Sequence, residues 1–145
     1  MQDYANLKVW QKAHRLVVQI YRVSSRFPKE ELYGLVSQIR RCAVSIPANI
    51  AEGCGRDGDA DFARFLRISM GSANELEYYA ILSRDLGFLD AEKYTPLAGD
   101  ITEIKRMLNS FIQTLRTNGA KQRPRASKGL AAKSQKLIAK SYKQC

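Results

Sequence analysis

At 145 residues the chain is the size of one ordinary domain, and 45% apolar with 26% charged residues are globular proportions that exclude wholesale disorder and any need for disulfide or metal staples. No run approaches the ~20 consecutive apolar residues of a membrane-spanning helix, and Met1, Gln2, Asp3 and Tyr4 do not begin a signal peptide. The net charge of +10 is uneven: of 24 Lys and Arg, eight lie in 119–145 with no acid, leaving sixteen to face all fourteen acids, a balance of about +2.

Apolar spacing predicts four helices and no strand. The first spans about Leu7 to Arg26, with Trp10, Ala13, His14, Val17, Tyr21 and Ser24 along one face, and Phe27-Pro28 ends it. The second begins near Glu31 and repeats Val36, Ile39, Ala43, Ile46 and Ile50, with a kink expected at Pro47. Gly53, Gly55 and Gly58 mark a loop. The third helix starts among Asp57, Asp59 and Asp61, whose carboxylates favour a helix amino terminus, and stops at Gly87. The fourth runs from about Ala91 to Thr117, with Thr95-Pro96 a second start signal or a kink, and Asn118-Gly119 as its end. Short connections favour an all-α, antiparallel up-down-up-down four-helix bundle over 1–118. The Lys-rich stretch 119–145 reads as a disordered tail, with Leu130, Leu137, Ile138 and Tyr142 hinting at a weak amphipathic helix.

Most chemical motifs fail on context. Gly53-Cys54-Gly55-Arg56-Asp57-Gly58 spells a dinucleotide fingerprint, but that fingerprint needs a preceding strand. Asp57, Asp59 and Asp61 imitate a calcium loop, yet Phe62 and Ile68 stand where glycine and glutamate are required. His14 is the one histidine, and its spacing reads as a core or interface residue. Cys42, Cys54 and Cys145 have no paired spacing and suit a reducing cytoplasm. Glu75 and Glu77 point apart on their helix. The expectation is a cytoplasmic, non-enzymatic protein with no catalytic residues, cofactor, metal site or membrane partner.

Two features survive. Lys8, Lys12, Arg15, Arg22 and Arg26 share one face of the first helix, which has no acid of its own. Such single-sign charge suits phosphate contacts, because each displaces condensed counterions. With Lys121, Arg123 and Arg125 of the tail it forms the candidate nucleic-acid-binding set. The second feature is a polar seam of Arg41, Ser45, Asn49 and Glu52 on the second helix, with Glu75 on the third, read as structural pairs between helices or subunits. Small residues Ser69, Gly71 and Ser72 let helices cross closely there.

The residues also carry a resemblance. Val9-Trp10 with Ala13, Phe27-Pro28, Glu31, Tyr33-Gly34-Leu35, the run from Gln38 to Gly53, Phe65-Leu66, the run from Gly71 to Glu77, and Leu86-Gly87 resemble the 23S rRNA intervening-sequence protein family. The likeness covers about residues 4–116 and is most specific in the Gln38–Gly53 run. It implies a bacterial, ribosomal protein-like four-helix bundle assembling into a ring, expected to be a homopentamer. The family is similar to the accessory protein of diversity-generating retroelements, a basic bundle that binds nucleic acid and a reverse transcriptase. The resulting expectation is an RNA-binding bundle. The alternative is a protein-interaction scaffold, for example for a polymerase or reverse transcriptase.

Overall fold

The computed structural model describes residues 3–122. After a short 3-10 turn at Tyr4–Asn6, the helices are α1 (Lys8–Ser24), α2 (Leu35–Cys54), α3 (Asp59–Asp85) and α4 (Ala91–Gln122), with a second 3-10 turn at Lys29–Glu31. The described residues hold no strand. α1 and α3 each pack against α2 and α4 while their own backbones do not approach closely, so they lie on a diagonal. Cross-helix pairs fix the directions: Lys12 meets Asp100 and Glu103, Arg41 meets Glu75, and Glu77 meets Lys105. At a second level along each seam the numbers run in opposite senses. Ser69 meets Ile46, and Phe62 meets Phe111. Val23 lies beside Glu92 and Leu97 while Lys8 lies beside Arg106 and Phe111, and Ser24 meets Arg40 while Trp10 faces Pro47 and Ala51. This is the up-down-up-down bundle that the short connections favour.

Each helix buries one stripe. On α1 it is Val9, Ala13, Leu16, Ile20 and Ser24; on α4 it is Leu97, Ile101, Ile104, Leu108, Ile112 and Leu115. Steps of three and four keep these side chains facing the partner helices. Leu16, Ile20, Ile39, Ile46, Ile50, Leu66, Leu76, Ile101, Ile104 and Leu108 form the fully buried centre, each stabilising by about 1.5–3 kcal/mol through apolar burial. A smaller cluster of Phe27, Leu35 and Val36, with Phe88 against it, closes one end.

The ends follow local chemistry. α3 stops where Gly87 adopts φ 80°, its amide donating to the Arg84 carbonyl and that of Phe88 to Ser83, the paired bonds of a Schellman cap. Gly58, at φ 87°, makes the sharp entry to α3. The Asp90 carboxylate accepts from the Lys93 amide and so caps α4.

Four expectations on boundaries are corrected. α1 ends at Ser24, because Ser25 and the turn leading to Pro28 leave the helix. α2 starts at Leu35, since Glu31 belongs to the 3-10 turn and its carboxylate accepts from the Leu35 amide at 3.2 Å. Gly53 is inside α2, and the loop is confined to Gly55–Gly58. α4 continues through Asn118-Gly119 to Gln122, and neither residue takes the positive φ that would end a helix there. α2 runs on through Pro47 and α4 through Pro96. Among the described residues no helix is long and apolar enough to cross a membrane.

Candidate nucleic-acid interface

On α1 the core stripe leaves the opposite face to solvent, and Lys8, Arg15 and Arg22 lie exposed there, with Arg26 exposed just beyond the helix end. None of the four has an ion-pair partner among the described residues. Lys12 differs. Its Nζ lies 2.9 Å from Glu103 and 3.3 Å from Asp100, with its side chain only 19% exposed. The hydrogen bond to Glu103 raises its pKa, outweighing burial, and Asp100 raises it further. This corrects the sequence reading of a uniform stripe. α1 has no acid, but α4 brings two carboxylates, three residues apart, against its flank.

Lys8 also gains a neighbour. It lines, with Arg106, Met107, Ser110 and Phe111 of α4, an open apolar groove of about 540 Å³. Arg106 is exposed and was not distinguished by sequence spacing, because its proximity to Lys8 depends on the register of α1 against α4. Lys121 is exposed in the last turn of α4; Arg123 and Arg125 lie outside the described residues.

The other flank of α1, toward α2, is apolar. Trp10 is half-buried between the ring of Tyr4, 5.1 Å away, and that of His14, stacked in parallel at 5.2 Å. Val17 continues the surface, and Tyr21 is 45% exposed, with the Arg40 guanidinium 4.6 Å above its ring. Val44, Pro47, Ala48 and Ala51 of α2 form the facing wall of a shallow cleft of about 270 Å³. His14 is therefore exposed and not inward. The Trp10–His14–Val17–Tyr21 series runs along the edge of the buried stripe, one step from Val9, Ala13, Leu16 and Ile20. At the loop joining these helices, Tyr33 is 93% and Leu32 49% exposed.

The polar seam lies on the opposite side of α2. Arg41 donates to Gln38 at 2.8 Å and to Glu75 at 3.4 Å, and the Tyr79 hydroxyl donates to the same Glu75 oxygen. The Ser45 and Ser72 hydroxyls meet at 2.8 Å, and the buried Ser69 hydroxyl donates to the Ile46 carbonyl. These contacts join α2 to α3. Asn49 and Glu52 bond locally instead, Asn49 donating to the Ser45 carbonyl and Glu52 accepting from Arg56. Beneath the seam, burial and the nearby Glu75 push the Cys42 thiol up to about 12. Burial and the bond to Glu75 raise Tyr79 as well. At neutral pH this cluster holds a protonated thiol and a protonated phenol, groups that suit packing more than nucleophilic attack.

The 23S rRNA-intervening sequence protein family matches this chain over residues 5–110. A solved structure is similar: a protein of unknown function from the S23 ribosomal protein family of Bacteroides thetaiotaomicron VPI-5482. The two share 31% identity with a TM-score of 0.68, over 72% of this chain and 97% of the other. No curated protein matches the chain.

Proposed function

This chain belongs to the 23S rRNA-intervening sequence protein family, and from that premise we propose that it is a non-enzymatic, cytoplasmic bundle protein that binds nucleic acid, RNA before DNA, through α1. One observation carries the reading: Lys8, Arg15 and Arg22 stand exposed along one side of a rigid helix, with Arg26 exposed just beyond its end, all without ion-pair partners among the described residues. Sequence-independent affinity that falls steeply with salt is the expected behaviour of such a surface. Anisotropy of a labelled structured RNA with the full chain at ~50 mM salt, where phosphate contacts are strong, is the direct test. No binding there would sink the reading.

The same reading includes self-association into a ring, with five subunits expected. The half-buried Trp10, the exposed Tyr21 and the apolar wall of α2 support it, since aromatic side chains are enriched at subunit contacts. A monomer mass by light scattering at micromolar concentration would remove the ring. The exposed Leu32 and Tyr33 favour a second reading, a scaffold whose partner is a polymerase-type protein. Pull-down after nuclease treatment separates the two, since partners retained by protein contact survive digestion and those bridged by RNA do not.

A further inference from the structure

A cleft of about 500 Å³ opens between the first turns of α3 and the last turns of α4, with no residue of α1 in its lining. Arg67 enters it from α3 and Arg116 from α4, and both are exposed. Neither has an ion-pair partner among the described residues, which sets Arg67 apart on its own helix: Arg64 is held by Asp61 and Arg84 by Asp85. The walls beside the two guanidiniums are small, with Ala63 on α3 and Gly119 and Ala120 on α4. A Cβ added at Gly119 would meet nothing within 4 Å, so the space beside this turn of α4 is open. One carboxylate, Asp59, also lines the cleft. It sits eight residues before Arg67, roughly 12 Å along the axis at 1.5 Å per residue, so about two turns of α3 separate the two.

We propose that this cleft, lined by Arg67 and Arg116, is a phosphate-binding site. Arg67 and Arg116 set two positive charges against the single carboxylate of Asp59 in the lining of one open cleft, and a bound anion balances that excess. Guanidinium groups present paired N–H donors that match phosphate oxygens better than a point charge does. A backbone phosphate of a nucleic acid and a free phosphate ester present the same chemistry. The inference stands independently of the α1 reading, which involves different residues.

The test is an NMR titration of the full chain with inorganic phosphate at constant ionic strength, about 0.15 M, with acetate as the comparison anion. Saturable shifts at the Gly119 amide and the Arg67 and Arg116 side chains are expected with phosphate and not with acetate. Arg67→Gln and Arg116→Gln should each weaken binding about tenfold or more, the loss expected for a charge-assisted hydrogen bond. Arg64→Gln should leave it unchanged. Competition by a short unstructured RNA would identify the source as backbone phosphate, and no competition would identify a free phosphate ester. Shifts that never saturate, equal saturation by acetate, or phosphate binding untouched by Arg67→Gln and Arg116→Gln would each overturn the site. Arg15→Gln and Arg22→Gln should not affect this titration, so failure of the RNA reading and failure of the cleft are separable.

Discussion

The difference between Lys12 and its neighbours on α1 turns the RNA reading into a charge-counting experiment. Each phosphate neutralised on binding contributes about 0.9 to the slope of log K against log salt for duplex, and about 0.7 for single strands. Between 50 and 200 mM salt, one contact therefore accounts for roughly a 2.5- to 3.5-fold loss of affinity. Arg15 and Arg22 are exposed and free of carboxylate partners among the described residues. Replacing both with Gln should lower the slope by about 1.4–1.8 and make the loss over that salt range shallower by about 7- to 12-fold. Lys12 is already neutralised by Glu103 and Asp100, at 2.9 and 3.3 Å. Lys12→Gln should leave the slope within roughly 0.3 of the parent, because it removes no released counterion.

Stability should divide the other way. Lys12 ties α1 to α4 through partly exposed groups, so Lys12→Gln should cost roughly 0.5–1 kcal/mol in urea unfolding. Arg15→Gln with Arg22→Gln should change stability by less than about 0.5 kcal/mol, as surface substitutions away from specific contacts do. Anisotropy across a salt series gives the first quantity and denaturant midpoints the second. If Lys12→Gln flattens the salt dependence as much as Arg15→Gln does, or the double variant leaves the slope intact, the assignment of the binding face is wrong.

Three further outcomes are expected. Gly53→Ala gains up to about 1 kcal/mol of helix propensity, but the new Cβ would meet Phe62 Cδ2 at 2.7 Å, a ring set edge-on to Phe111. Overpacking of about 1–3 kcal/mol should win, and a thermal midpoint equal to or above the parent's would contradict it. Ser69→Ala removes a buried hydroxyl that donates to the Ile46 carbonyl, and should cost about 1 kcal/mol by chemical denaturation. The Cys42 thiol is held at about 12 against an ordinary 9.0, so its native form keeps a proton that the unfolded chain releases. Its contribution is complete below pH 9 and lost as pH rises toward 12. Stability measured from pH 9 to 11 should therefore fall less steeply in Cys42→Ala than in the parent, and parallel curves would refute the shift.

What could be read from sequence was what a single helix decides alone. The period of Ile101, Ile104, Leu108, Ile112 and Leu115 follows from α4 burying one stripe, and Gly87 marks the stop of α3 through a φ that few other residues take. The partner of Lys12 was not legible, because Asp100 and Glu103 lie some ninety residues away and reach it only through the register of α4 on α1. Arg67 and Arg116 stayed hidden for the same reason, as each is an ordinary exposed arginine until α3 and α4 are set side by side. His14 was misplaced by an ambiguity within one helix. Steps of three and four from Trp10 and from Val9 give two adjacent stripes, and only packing shows that the second is the buried one.

That adjacency has a consequence for the proposed assembly. Both flanks belong to α1: the free cations face outward and the Trp10–Tyr21 edge faces α2. Subunits meeting through the aromatic edge would leave Lys8, Arg15, Arg22 and Arg26 uncovered, and each subunit would add its own stripe to the particle. Several weak phosphate contacts on one rigid body act at high effective concentration once the first has formed. The assembled form should then show a salt slope steeper than one chain's exposed cations allow. A charge placed on the aromatic edge, as in Val44→Lys, should return the slope to the single-chain value while Arg15 and Arg22 remain in place. A monomeric Val44→Lys protein that keeps the parent's full slope would separate assembly from binding.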